Sequence, residues 1–137
     1  MTHTSHVALR WSDLDALGHV NNAVYLTLME QGRIDAFEAL MPGGWVGDAS
    51  PVLAAASLSF RRPILGTGLA HVATTFEAPG RTSLKTRVTV TLDGELRAEG
   101  EAVLVWVDVA TGRPVPVPDA LRAAIAAALP AGDDAPA

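Results

Sequence analysis

The 137-residue chain contains no cysteine. That absence excludes disulfides, thiol nucleophiles and cysteine-ligated zinc, and it fits a reducing compartment. No apolar run reaches the ~18 residues that read as a membrane span, and the N-terminal stretch MTHTSHVALR has no apolar leader core. The expected location is therefore cytoplasmic, with no membrane partner. Positive charge is scarce: 10 Lys and Arg against 15 Asp and Glu give a net charge of −5, which argues against a nucleic-acid groove. Neither G-x-x-x-x-G-K-[ST] nor G-x-G-x-x-G occurs, so no nucleotide cofactor is indicated. The four histidines, His3, His6, His19 and His71, lack the H-x-x-x-H spacing of a metal site. No cofactor and no metal are expected.

What is present is an ordinary globular composition, 49% hydrophobic and 18% charged. The length suits one domain over residues 1–137, with a core at about 6–128 and a flexible tail at 130–137. Residues 22–41, NAVYLTLMEQGRIDAFEALM, set Tyr25, Leu26, Met29, Phe37 and Leu40 on one broad face near a 3.6-residue period. Asn21 or Asn22 can cap this helix, and Pro42-Gly43-Gly44 stops it. Strand-like runs lie at HVALRW, VLAAASLSFRRP, LAHVATTFEA, TSLKTRVTVTL and ELRAEGEAVLVWVDV, with Asp93-Gly94 the best hairpin signal between them. A short helix near the end completes the order.

One long apolar-striped helix and five antiparallel strands bury each other if the sheet curves around the helix. This predicts an α+β fold: a curved five-stranded antiparallel sheet wrapped around one long central helix. Such a sheet keeps an exposed edge. Pairing of that edge between copies would hide it, so a homodimer or homotetramer is expected, and the second subunit would supply the wall a small chain lacks.

The dense cluster of reactive side chains is RWSDLDALGHVNNAVY, residues 10–25, immediately before the helix. A helix N-terminus offers unbonded N–H groups and the positive end of the macrodipole, a preformed seat for an oxyanion. The amides near Asn21, Asn22 and Ala23 are therefore expected to hold a carbonyl oxygen that gains charge. Asp15, seven residues before Asn22, can fold back over that end as general base or as nucleophile. Asp13 and Asp15 can equally be turn or capping residues, the ordinary use of aspartate before a helix.

Asp13-Leu14-Asp15, Gly18-His19-Val20-Asn21-Asn22 and Tyr25, followed by SLSFRRPILGTG, GRTS, AEGEAVLVWVD and RPVPVPDALR in order, resemble the hotdog-fold acyl-CoA thioesterases of the 4-hydroxybenzoyl-CoA thioesterase superfamily. The resemblance runs over roughly residues 6–128. It implies the hotdog fold, hydrolysis of an acyl-CoA thioester to free acid and CoA, and Asp15 in preference to Asp13 as the catalytic carboxylate. His19 is given a supporting role, hydrogen-bonded to Asp15 or to water, and Asn22 belongs to the catalytic helix start. Tyr25, Phe60, Arg61, Arg81 and Ser83 are placed at the substrate, the arginines facing the phosphates of CoA. Glu30, on the helix, is a second candidate acid, although its spacing of three from Arg33 suits an intrahelical ion pair. Two other activities stay open: a non-catalytic acyl-CoA binding module, and a hotdog enoyl-CoA hydratase or dehydratase, whose D-x-N-x-x-H spacing is absent here.

Overall fold

The computed structural model describes residues 2–44 and 47–128. In chain order these form β1 (Thr2–Ala8), a single 3₁₀ turn (Trp11–Asp13), α1 (Asn22–Leu40), β2 (Ala49–Phe60), β3 (Leu69–Phe76), β4 (Ser83–Leu92), β5 (Glu95–Asp108) and α2 (Asp119–Ala128). The expected tail at 130–137 and Trp45 of the loop before β2 lie outside the described residues.

The central helix begins where its cap says it should. The Asn21 side chain accepts a hydrogen bond from the Ala23 N–H at 2.9 Å, satisfying one of the donors a first turn leaves over. At the other end Pro42 and left-handed Gly43 (φ 83°) turn the chain away. The buried face differs from the expected stripe: it comprises Tyr25, Leu28, Met29, Gly32, Ala36 and Phe37, while Leu26 is half exposed. The helix beds on β1 and β3, and the flank carrying Leu26 is left facing an open groove beside β2.

All five strands form one antiparallel sheet in the order β1-β3-β4-β5-β2. The β4–β5 hairpin turns at Asp93 (φ 53°) and Gly94 (φ 74°), two left-handed residues as a type I′ turn requires. β2 does not pair with its sequence neighbour β3. It crosses to the far side of the sheet and pairs with β5 through an irregularity at Ala54, which has no partner between Leu53 and Ala55. Further along the pair, Gly100 of β5 lies opposite Leu58, and a Cβ at that position would strike the Ser57 carbonyl oxygen. β2 is thus an edge strand, and its residues Val52–Ser57 are all exposed.

Two apolar clusters fill the space between helix and sheet. One, around Tyr25, Leu28, Met29, Ile64 and Val90, underlies the start of α1. The other gathers Phe37, Phe76, Leu104 and Trp106 and is closed off by Leu121 and Ile125 of α2. Arg122 of α2 donates to the carbonyls of Pro79 and Gly80, at 3.3 and 2.7 Å, tying that helix to the β3–β4 turn. At Gly32 the helix comes closest to the sheet: a Cβ there would lie 2.6 Å from Val72 Cγ1 and 2.8 Å from Thr74 Oγ1. This is the α+β hotdog fold, a curved antiparallel sheet around one long helix.

Candidate active site

The segment between β1 and α1 is shaped by its own main chain and two carboxylates. Asp13 is buried and structural: its Oδ2 accepts the Arg10 N–H at 2.7 Å and its Oδ1 meets the Arg10 guanidinium at 2.9 Å. The hydrogen bonds from Arg10 hold the Asp13 carboxyl below its ordinary pKa. Its carbonyl accepts the Asn21 N–H at 2.9 Å, which sets the start of α1 against the preceding turn.

Asp15 closes the next loop. Its Oδ1 accepts the N–H groups of Leu17 (2.9 Å) and His19 (3.1 Å). Its own N–H donates to the His19 carbonyl at 2.7 Å and its carbonyl accepts the Gly18 N–H at 3.0 Å, with Gly18 left-handed at φ 77°. Among the described residues Oδ2 makes no hydrogen bond. The carboxylate is therefore half fixed and half available, a turn residue with one oxygen to spare. His19 is joined to Asp15 through its backbone N–H; of the two expected partners of its imidazole, Asp15 or water, Asp15 is not hydrogen-bonded to it.

Asp15, His19, Asn22, Tyr25, Phe60 and Arg61 line one cavity of about 360 Å³ together with Leu17, Val20, Arg62 and Pro63. Six of the eight residues singled out by sequence thus converge. Tyr25 is buried and Phe60 half exposed, their rings meeting edge to face with centroids 5.1 Å apart. Burial pushes the Tyr25 phenol up from its ordinary pKa, opposed by the Ile64 backbone and the charge of Arg97, so it is a neutral hydroxyl at the cavity wall. Arg61 and Arg62 are paired with Glu99 (3.3 Å) and Glu95 (2.9 Å), both pairs largely exposed; such pairs are worth little.

The expected three-amide cradle shrinks to one. The Asn21 N–H is spent on the Asp13 carbonyl and the Ala23 N–H on the Asn21 side chain. The Asn22 N–H stands first in the helix and, among the described residues, donates to nothing, so it is the amide left for an oxyanion.

A family model described as the thioesterase-like superfamily matches residues 9–125. The chain belongs to the thioesterase-like superfamily. Among solved structures, a thioesterase from Thermus thermophilus, complexed with coenzyme A and zinc, is 41% identical, with 90% of this chain and 91% of that chain covered and a TM-score of 0.79. A candidate thioesterase from Pseudomonas aeruginosa is 32% identical over 90% of this chain and 97% of its own, TM-score 0.81. The 1,4-dihydroxy-2-naphthoyl-CoA thioesterase of Synechocystis, 18% identical over 92% of this chain and 96% of its own, shares the fold at a TM-score of 0.83. A comparison with curated proteins gives no match.

In this thioesterase, Arg81 and Ser83 stand apart from the cavity. Ser83 lies opposite Val105 of β5 and Phe60 opposite Ala98, so the two levels are about 23 Å apart at roughly 3.3 Å per residue. Glu30 also lies elsewhere, in the groove between α1 and β2. Sequence reading missed Arg97. Its guanidinium donates to the carbonyls of Pro63 (2.9 Å) and Leu92 (3.4 Å), while its carbonyl accepts the N–H groups of Arg61 (2.8 Å) and Arg62 (3.1 Å). One residue thus holds the wall formed by 61–63, and nothing local in the sequence announces it. Among the described residues no helix is long and apolar enough to cross a membrane, and no three His, Cys, Asp or Glu gather as a metal site.

Proposed function

We propose that this protein is an acyl-CoA thioesterase in which the free Oδ2 of Asp15 acts on the thioester carbonyl and the Asn22 N–H receives its oxygen. The observation that carries this reading is that Asp15, with one unbonded carboxylate oxygen, and Asn22, with an unbonded helix-start amide, line one cavity. As general base, Asp15 takes a proton from water as the hydroxide attacks the carbonyl carbon. The tetrahedral oxyanion rests on the Asn22 amide, the C–S bond breaks, and the thiolate leaves with the proton Asp15 returns. As nucleophile, Oδ2 itself attacks, the C–S bond breaks to release the CoA thiolate, and water then opens the mixed anhydride to free acid and the restored carboxylate, its remaining proton going to the thiolate. The Tyr25–Phe60 pair forms an aromatic wall for the acyl group, and His19 lies beside the reacting carbonyl as a polar neighbour.

The working unit is a homodimer made by pairing β2 with its copy. β2 is an edge strand whose middle is exposed, and antiparallel pairing through its centre sets the Ala49 end of one strand beside the Phe60 end of the other. That arrangement carries Arg81 and Ser83 of the partner subunit to the end of the sheet where the cavity opens, the route by which these distant residues would serve CoA phosphates.

The test is a hydrolysis screen over aromatic and fatty acyl-CoA esters with free-thiol detection. Release of CoA from at least one ester is expected. Tight CoA binding without turnover would instead make this a binding module, and hydration of crotonyl-CoA would make it a hydratase.

A further inference from the structure

The groove between α1 and β2 contains two charges that the chain leaves unanswered. Glu30 and Arg33 line a cavity of about 150 Å³ with Met29, Leu53 and Ala56, and they continue along the groove toward Ile34 and Phe37. The intrahelical ion pair their spacing suggested is not formed, and among the described residues neither side chain makes a hydrogen bond or ion pair. Arg33 is partly buried, and the loss of water lowers its pKa while the charge of Glu30 opposes that shift. A partly dried guanidinium without a partner is costly.

Their position along the helix matters as much as their charge. Glu30 and Arg33 straddle the middle of α1 (Asn22–Leu40) and share the groove with Leu53 and Ala56, which straddle the middle of β2 (Ala49–Phe60). A two-fold axis normal to the sheet at the centre of β2 therefore reverses both elements about nearly the same level. It pairs β2 with its copy and turns the two α1 flanks toward each other with opposite charges facing. An isologous contact of this kind occurs twice.

The strand itself carries little information about register. The middle of β2 is Ala54-Ala55-Ala56-Ser57, small side chains that pack about equally well after a slip, and an edge of small residues specifies register weakly. Something else must choose the alignment.

We propose that Glu30 of each subunit pairs with Arg33 of the partner subunit across the dimer two-fold, and that these reciprocal pairs fix the register of β2 against its copy. The inference rests on the dimer reading above. It also gives the pairs a consequence for the site: a slip of two residues would move every partner group at the Asp15 cavity by about 7 Å at the strand rise of ~3.3 Å per residue.

The test is a charge swap read by sedimentation equilibrium, with circular dichroism to confirm the helix. Glu30→Arg and Arg33→Glu each set like charges opposite one another twice and are expected to raise the dimer dissociation constant at least ~100-fold. The double variant restores opposite charges and should return within about tenfold of the wild type. Should a single reversal fail to fold, the milder Glu30→Gln and Arg33→Gln are expected to weaken the dimer by roughly tenfold each. Single variants that keep the wild-type constant, or a double variant as dissociated as the singles, overturn the proposal while leaving the dimer in place. A monomeric wild type overturns the dimer reading along with it. No substrate enters the measurement, so a failure of the thioesterase assay is a separate result.

Discussion

Replacing Asp15 by asparagine separates the two tasks of its carboxylate. In the turn, Oδ1 accepts the N–H groups of Leu17 and His19, and an asparagine Oδ1 accepts the same two. The remaining bonds of the turn, from the Asp15 N–H to the His19 carbonyl and from the Gly18 N–H to the Asp15 carbonyl, are main chain. The turn should therefore survive, with a change in stability below about 1 kcal/mol, as for an exposed substitution that keeps its hydrogen bonds. What changes is the second oxygen: a proton acceptor on a cavity-lining residue becomes an NH₂ group. Loss of a positioned acid–base group typically costs about 10²–10⁴ in rate, or roughly 3–5 kcal/mol of barrier at ~1.4 kcal/mol per decade. We expect kcat of Asp15→Asn to fall by that factor and KM to move only a few-fold. Asp15→Ala should lose the rate and also about 1 kcal/mol of stability, because the turn loses its acceptor. The assay is steady-state hydrolysis of the best acyl-CoA ester with thermal melting of both variants alongside. Near wild-type turnover by Asp15→Asn would refute the reasoning, and a Glu30→Gln that is inactive at concentrations where it is dimeric would then move the acid onto the helix.

Asp13→Asn should destabilise the fold at neutral pH by about 1 kcal/mol, the cost of a weakened cap on the Arg10 N–H. Because the folded-state pKa of Asp13 is depressed, its contribution is present above the unfolded-state value and is lost as pH falls through the folded one. The gap in Tm between wild type and variant should therefore narrow between about pH 7 and about pH 3; a constant gap would contradict the assignment. Gly32→Ala should lower stability by about 1–2 kcal/mol and Tm by roughly 3–8 °C, since the new methyl meets Val72 and Thr74 on a fixed strand and overpacking outweighs the gain in helix propensity. A more stable variant by thermal melting would show that α1 can lift from β3 at no cost.

Local chemistry made part of this molecule readable before its structure. Asn21 at the start of α1, Pro42-Gly43 at its end and Asp93-Gly94 between β4 and β5 each act within a few residues, and each is found doing what its side chain dictates. The order of one helix and five strands followed from such signals. The pairing of β2 with β5 did not, because register across the sheet depends on partners about 40 to 60 residues away. The helix face was misjudged for a related reason: Leu26 satisfies the period as well as Leu28 does, and the open groove beside β2, not hydrophobicity, decides which is covered. Around the cavity, Asp15, His19, Asn22, Tyr25, Phe60 and Arg61 were within reach of motif reading. That the Asn21 and Ala23 amides are already spent, and that Arg97 clamps the opposite wall, emerges only once carbonyls from separate segments are in place.

The loop bearing Asp15 is held by amide-to-carbonyl bonds on every side: Asn21 to Asp13, Val20 to Ile64, Gly66 to Gly18, and Asp15 to His19. Such bonds are indifferent to the side chains of the residues that make them. Within this frame Asp15 is tied to its identity by the turn and Gly18 and Gly66 by a positive φ, whereas Ala16, Leu17, His19 and Leu65 present side chains that the frame does not need. A scaffold of this kind separates heredity of position from heredity of preference: the carboxylate can stay where it is through many generations of change in the residues around it. New acyl specificities can then be acquired by drift at the rim of the cavity without passing through an unfolded intermediate sequence.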